Sequence, residues 1–228
     1  GNLQALRERL EQANFEVREW NLAEAPAPPA DPDGGENEAA LPKALLLLPP
    51  PPEALVQMLG MQAGRYGGPP PQPFGPEHLE SVRAQIDAGT PAVFLAGWLP
   101  AMRMGMFGGS LQPTYAFGAY LRDTWGIDVK TDYVLVPFLP DEDKPGQFRV
   151  DAEGFQYLPL STFSDAHPIS KPLAGQRVLW TGACPVEPAR TPEGVDAQPL
   201  LVVREGRRDI WAEPGIEEIA GKIDSGER

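Results

Sequence analysis

Residues 77–100 read EHLESVRAQIDAGTPAVFLAGWLP, and this stretch decides the predicted fold. Apolar side chains recur at helical spacing between Leu79 and Ile86, and Pro76 stands just before the first turn, where its missing N–H costs no hydrogen bond. Residues 88–91, Ala-Gly-Thr-Pro, end the helix, since glycine adopts a left-handed cap and proline cannot continue a helix. The apolar run 92–96 that follows is typical of a strand covered on both faces. Helix, turn and buried strand predict half of a β-α-β crossover.

Two further segments extend this pattern. Residues 44–48 form a second apolar run, which four prolines end because proline cannot donate to a sheet. Residues 127–138 form a further predicted strand, which follows an amphipathic helix at 114–125 with Gly126 as its cap, and Pro137 is expected to end it. Continuous apolar strands that alternate with helices predict an α/β fold. We therefore expect a mostly parallel central sheet that contains 44–48, 92–96 and 127–136, with helices on both faces.

Shorter patterns predict the remaining elements. Leucines spaced from Leu3 to Leu10 indicate a first helix, which Asn14 turns into an alternating strand at 15–20. A short helix is expected at 53–61. Further strands are expected at 147–150, 155–158, 177–181 and 200–203, and 209–211 is expected to pair with the last of these.

Composition limits the possible partners. The 228 residues carry 32 acidic and 19 basic side chains, a net charge of −13. This charge disfavours phosphate backbones and anionic membrane surfaces, so nucleic acid is not expected as a partner. The 28 prolines and 24 glycines predict long loops, among them 24–40 and 64–76.

The patterns also predict the domain organisation. We expect one α/β domain over residues 1–213, with proline-rich insertions, and a linker or tail over 214–228. No run of apolar residues is long enough to span a membrane. The chain opens with Gly1-Asn2-Leu3 rather than methionine, which suggests a piece of a longer protein whose membrane anchors lie outside this sequence.

Five segments, taken in order, resemble a known family. They are ALLLLPPPPEAL, LESVRAQIDAGTPAVFLAG, YLRDTWGIDVKTDYVL, AHPISKPLAGQRVLWTGACPVE and QPLLVVREGRRDIWAE, which together span about residues 40–213. This set is similar to the extracytoplasmic domain of the uncharacterised ABC-type transport auxiliary proteins, a group that includes the gliding-motility ABC transporter auxiliary component. The sequence departs from the family pattern in its proline-rich insertions and in a methionine-rich loop.

The resemblance implies a flavodoxin-like or class I glutamine amidotransferase-like domain. It implies a periplasmic position, in a membrane-anchored protein whose partners are the membrane subunits of an ABC-type transporter. It implies no enzymatic role and no cofactor. Contact with the membrane itself is expected only through anchors outside this sequence.

An enzyme of this fold would need a nucleophile on the turn after the central strand. Gly97, Trp98 and Leu99 occupy that turn, and none of them is a nucleophile. The alternative is a hydrolase or amidotransferase-like enzyme built on Cys184 and His167, with Asp165 nearby in sequence. A small, buried or half-buried cysteine is the competing interpretation of Cys184.

The two histidines and the acidic loop tip do not predict a metal site. His78 lies on the first turn of the central helix and is expected to be exposed, far in sequence from His167. The acidic cluster 141–143 lacks the spaced oxygen ligands of a calcium loop, so we expect it to be solvated.

The loop 97–109 is the predicted binding surface, because open α/β sheets bind ligands and partners at the carboxyl ends of their strands. Glycines give the loop freedom to adapt, and thioethers suit an adaptable apolar contact. The alternative is that these methionines fold back into the core. The candidate binding residues are Trp98, Met102, Arg103, Met104, Met106, Phe107 and His167.

His167 has a second interpretation, because His-Pro-Ile-Ser at 167–170 is typical of a turn fixed by the histidine ring and the proline. A sugar-binding module is a further alternative to the interaction domain and the enzyme. Its stacking faces would come from Trp98, Trp125, Trp180 and Trp211.

Overall fold

A computed structural model describes most of the chain. The described residues are 2–22, 25, 27–29, 43–50, 56, 74–99, 102–103, 110–111, 113–145, 148–150, 158–160, 162–203 and 209–214. The predicted helix at 53–61 falls outside them, apart from Val56, which is helical and buried.

Three α-helices lie in the described residues: α1 (Asn2–Gln12), α2 (Pro76–Asp87) and α3 (Gly118–Trp125). The central helix begins at Pro76 as predicted, and Gly89 follows it with a φ of 91°. Gly126 caps α3 with a φ of 66°, which is the left-handed conformation that glycine adopts most readily. The strand predicted at 15–20 is wrong, because these residues have no regular secondary structure.

His78 is buried, so the prediction that it is exposed is wrong. Its Nδ1 accepts a hydrogen bond from the Gly75 N–H at 2.7 Å, and its ring lies 5.4 Å from the Phe74 ring. His78 thus satisfies one of the backbone N–H groups that a helix start leaves without an intrahelical partner.

The described strands are short and form small sheets. Two-stranded sheets join β1 with β2, β3 with β4, β5 with β10, and β8 with β9, while β11, β6 and β7 form a three-stranded sheet in that order. Their bounds are β1 (Leu45–Leu47), β2 (Ala92–Phe94), β3 (Met102–Arg103), β4 (Ser110–Leu111), β5 (Ile127–Val129), β6 (Val134–Pro140), β7 (Phe148–Val150), β8 (Leu158–Leu160), β9 (Val178–Trp180), β10 (Val186–Pro188) and β11 (Ile210–Glu213).

The predicted mostly parallel central sheet with helices on both faces is wrong. Among the described strands only β1 and β2 pair in parallel, and the other pairings are antiparallel. The two apolar runs that suggested burial on both faces leave Leu46 40% and Val93 53% exposed. The flavodoxin-like and amidotransferase-like architectures implied by the resemblance are therefore corrected as well.

The run 127–138 shows why the prediction failed. The backbone reverses at 130–133, where the Tyr133 N–H donates to the Lys130 carbonyl at 3.0 Å. The run therefore forms two strands, β5 and β6, in different sheets. Strand β11 pairs with β6 rather than with residues 200–203, of which Leu201 bridges Phe163.

Strand β6 passes through Pro137, which was expected to end it. The Phe138 N–H donates to the Asp209 carbonyl at 2.8 Å, so even-numbered N–H groups of β6 point toward β11. The nitrogen of Pro137 points to the other edge, where pairing with β7 begins only at Phe138. The missing proline N–H therefore costs no bond to β11.

A cluster of aromatic rings lies at the start of α3. The Phe117 ring is buried and meets Phe94 edge-on at 5.3 Å and Tyr115 edge-on at 5.7 Å. The Tyr115 hydroxyl donates to the Leu95 carbonyl at 3.1 Å, which ties the start of the helix region to the segment after β2.

The chain divides into two compact units. One comprises 1–47 with 59–93, and the other comprises 48–58 with 94–228. The prediction of one domain over 1–213 with a tail over 214–228 stays a prediction. None of the helices in the described ranges is both long and apolar enough to cross a membrane.

Candidate functional site

Strand β6 presents one apolar face, which its alternating residues define. Val134, Val136 and Phe138 point to the same side of the strand and are buried together as one cluster. Trp98, a predicted binding residue, packs against this cluster. The Trp98 backbone N–H donates to the Gly182 carbonyl at 2.9 Å, which holds the segment after β2 in place.

Trp211 lies on the same face. It stands directly opposite Val136 across the β6–β11 pair, and opposite residues of an antiparallel pair share a face. Its ring meets the Phe138 ring in an edge-to-face contact at 6.1 Å, with an interplanar angle of 68°. We call Trp98, Val136, Phe138 and Trp211 the aromatic face.

The two tryptophans of the aromatic face differ in access to solvent. Trp211 is 53% exposed, although its neighbour Val136 is fully buried. The Trp98 indole N–H is shielded from solvent and has no hydrogen-bond partner among the described residues. Trp98 therefore supports the face from within, while Trp211 offers a large apolar surface to a partner.

The aromatic face ends at Glu213, which stands opposite Val134. Glu213 is only 2% exposed, so its carboxylate does not contribute to the accessible part of the face. The accessible part of the aromatic face is therefore the Trp211 ring.

The segment around Cys184 is hydrogen-bonded to three different parts of the chain. The carbonyls of Gly182, Ala183 and Pro185 accept from the N–H groups of Trp98, Leu135 and Lys130, at distances of 2.9, 2.8 and 2.9 Å respectively. These three hydrogen bonds hold Cys184 in a half-buried position next to strand β6.

Burial controls the chemistry of Cys184. The pKa of its thiol is raised to about 11, chiefly because burial disfavours the thiolate; a backbone hydrogen bond opposes this shift, and the nearby Asp132 carboxylate adds to it. Burial likewise raises the pKa of Tyr115 to about 12, with a smaller contribution from Cys184. Neither effect activates a nucleophile, because activation requires a lowered thiol pKa.

His167 lies in the turn that the sequence predicted. Its Nδ1 accepts from the Ile169 N–H at 3.2 Å, and its carbonyl accepts from the N–H groups of Ser170 and Lys171 at 3.2 and 2.8 Å. The turn leads into a 3-10 helix at Lys171–Leu173. The described hydrogen bonds do not join His167 to Cys184, and Nδ1 is committed to the turn.

The predicted binding loop is only partly described. Met102 and Arg103 form β3, opposite Leu111 and Ser110 of β4. Their side chains, and the whole of Met104, Met106 and Phe107, lie outside the described residues. The structure thus places Trp98 of the predicted set on the aromatic face and His167 in a turn.

Sequence reasoning missed the partnership of Phe138 with Trp211. It treated Phe138 as the end of a strand in a parallel sheet and Trp211 as one of four stacking candidates. The alternation Ile-Trp-Ala-Glu at 210–213 indicates that Trp211 and Ile210 lie on different faces of the strand. Trp211 and Glu213 share one face, and the buried Ile210 lies on the other.

Comparisons with protein-family models, with curated proteins and with solved structures found no match to this chain. In the part of the chain that the structure describes, no group of three or more His, Cys, Asp or Glu side chains is placed to hold a metal ion. Because no relative suggests a function, the role proposed for the aromatic face rests on its contacts and solvent exposure.

Proposed function

We propose that this chain is the extracytoplasmic interaction domain of an ABC-type transport system auxiliary protein, and that it is not an enzyme. Its partners are the membrane subunits of the transporter, and Trp211, the exposed part of the aromatic face, makes the contact. The observation that carries the proposal is Trp211, a tryptophan half open to solvent on a strand and braced by Phe138. The order of the five sequence segments supports the transporter assignment, and the fold that the family implies is not part of the proposal.

A braced tryptophan suits a protein interface. Tryptophan is among the residues whose loss most weakens protein complexes, because its large rigid ring buries area at little entropic cost. Trp211 also lies on β11, which has β6 as its one strand partner among the described residues.

The thiol supports the non-catalytic part of the proposal. With a pKa of about 11, roughly one Cys184 side chain in ten thousand is a thiolate at neutral pH. Cys184→Ala should therefore leave the function of the domain unchanged. The loop 97–109, with Met102, Arg103, Met104, Met106 and Phe107, stays a predicted second part of the surface.

The test is co-purification of the full-length protein with the transporter's membrane subunits in mild detergent. Trp211→Ala should weaken association at least tenfold, a typical loss for an interface tryptophan, and should lower the melting temperature only by the small amount that loss of its contact with Phe138 costs. Phe15→Ala is the matched control, because Phe15 is a strongly exposed aromatic side chain outside the aromatic face.

Two results would overturn this proposal. One is a Trp211→Ala variant that associates as strongly as the Phe15→Ala control. The other is oligosaccharide binding that quenches tryptophan fluorescence and disappears with Trp211→Ala, which would replace the interaction domain with a sugar-binding module.

A further inference from the structure

One stretch of this acidic chain contains no acidic residue. Between Asp165 and Glu187 the sequence carries two basic side chains, Lys171 and Arg177, and both are exposed. The chain as a whole has a net charge of −13, so this stretch reverses the local sign of charge. Two exposed cations with no acidic residue between them in sequence favour an anionic partner for this stretch.

The same stretch exposes large apolar side chains. Ile169 in the His167 turn and Leu173 in the 3-10 helix are both exposed. Strand β9 adds Leu179, 60% exposed, and Trp180, 41% exposed. Because successive residues of a strand point to opposite faces, Leu179 and Trp180 expose apolar surface on both faces of β9.

We propose that residues 167–180 dock on a phospholipid bilayer, with the four apolar side chains at the acyl boundary and the two cations at the phosphates. Exposure on both faces of β9 favours a bilayer as the occupant. A protein surface covers one side of a two-stranded ribbon, whereas a bilayer surrounds everything that enters it. Tryptophan at headgroup depth and basic residues beside apolar ones are the features of interfacial membrane segments.

The negative net charge does not prevent this docking at physiological salt. At about 0.15 M ionic strength the Debye length is about 8 Å, so carboxylates farther away than that are screened from the bilayer. Lys171 and Arg177 lie inside the docking segment and act at close range. The inference goes beyond the proposed function, and beyond the expectation that only anchors outside this sequence contact the membrane.

The test is flotation of the protein with vesicles of phosphatidylcholine and phosphatidylglycerol at physiological salt. These vesicles hold no transporter subunits, so the result is independent of the partner proposed for Trp211. The double variant Ile169→Ser, Leu179→Ser should lower the partition coefficient at least tenfold, since each change removes an apolar side chain from the bilayer. Lys171→Glu with Arg177→Glu should lower it at least fivefold. Phe15→Ser, an exposed apolar deletion elsewhere, should leave it unchanged.

A second measurement needs no apolar deletion. Brominated phosphatidylcholine should quench part of the tryptophan fluorescence, and Trp180→Phe should abolish that part. The proposal is overturned if the unmodified protein does not float, if the double variant floats as well as Phe15→Ser, or if quenching is the same with and without Trp180.

Discussion

Cys184 owes its chemistry to its surroundings. Because burial raises the pKa of its thiol from 9.0 to about 11, the thiolate at pH 8 is about a hundredfold scarcer than for an ordinary cysteine. We expect iodoacetamide to label native Cys184 about a hundredfold more slowly than it labels the urea-unfolded chain. Mass spectrometry of timed samples measures both rates. Rapid labelling of the native protein at neutral pH would restore the enzyme hypothesis.

The same shift makes stability depend on pH. Between about pH 9 and 11 the native thiol holds its proton while the unfolded thiol releases it, so folding becomes less favourable as pH rises through this window. Tyr115, with its pKa raised from 10.0 to about 12, adds a further loss between pH 10 and 12. Titration of Cys184 and Tyr115 should therefore leave the melting temperature unchanged between pH 7 and 9 and lower it above pH 9.

Cys184→Ala provides the control for this pH dependence. The variant should fall less steeply between pH 9 and 10, where Cys184 contributes and Tyr115 does not yet. Identical slopes for the two proteins would contradict the thiol assignment.

At the scale of elements, the end of α3 tests the local structure. Gly126 has a left-handed φ of 66°, and a Cβ placed there would lie 2.8 Å from the Arg190 carbonyl oxygen and 2.9 Å from the Thr191 Cα. Gly126→Ala therefore combines backbone strain with a backbone clash. We expect it to lower the free energy of unfolding by about 2 kcal/mol or more, measured by urea denaturation.

Gly194→Ala is the matched control for this clash. Gly194 has a φ of 83°, and a Cβ added there would meet nothing within 4 Å, so only the strain of about 1 kcal/mol applies. Equal losses for the two variants would mean that the segment 190–192 does not pack against the end of α3.

Local elements could be read from the sequence, whereas their pairing could not. The start of α2 at Pro76 and the left-handed caps at Gly89 and Gly126 follow from backbone chemistry within a few residues. Strand direction depends on partners far along the chain, such as β11 for β6. An apolar run has the same composition in a parallel and in an antiparallel sheet, so it predicts burial on both faces, whereas Leu46 and Val93 are each partly exposed.

The candidate site was likewise predictable from the sequence only in part. The sequence singled out Trp98 because of its position after a strand, and the structure places it against the β6 cluster. The exposure of Trp211 depends on which face of β11 other elements cover, and no local pattern in a four-residue strand contains that information.

At the scale of the whole molecule, β6 should be the most protected strand among the described residues. It carries a buried face, and its edges bond to β11, to β7 and to the Ala183 carbonyl. Hydrogen exchange followed by NMR should find the amides of Leu135 and Phe138 among the slowest. The Asp143 amide, which donates to the exposed Asp141 side chain, should exchange far faster. Comparable rates for these amides would contradict a core built on β6.

The pairing of Pro137 with Ile210 also bears on how the chain is made. The ribosome synthesises β6 long before β11. During that interval the edge of β6 that pairs with β11 has no partner strand. Closing that edge requires a contact between residues far apart in the chain, and such contacts form slowly. A nascent chain halted before Ile210 therefore presents the unpaired edge of β6 to solvent. We expect chaperones to bind the nascent chain at that stage of translation.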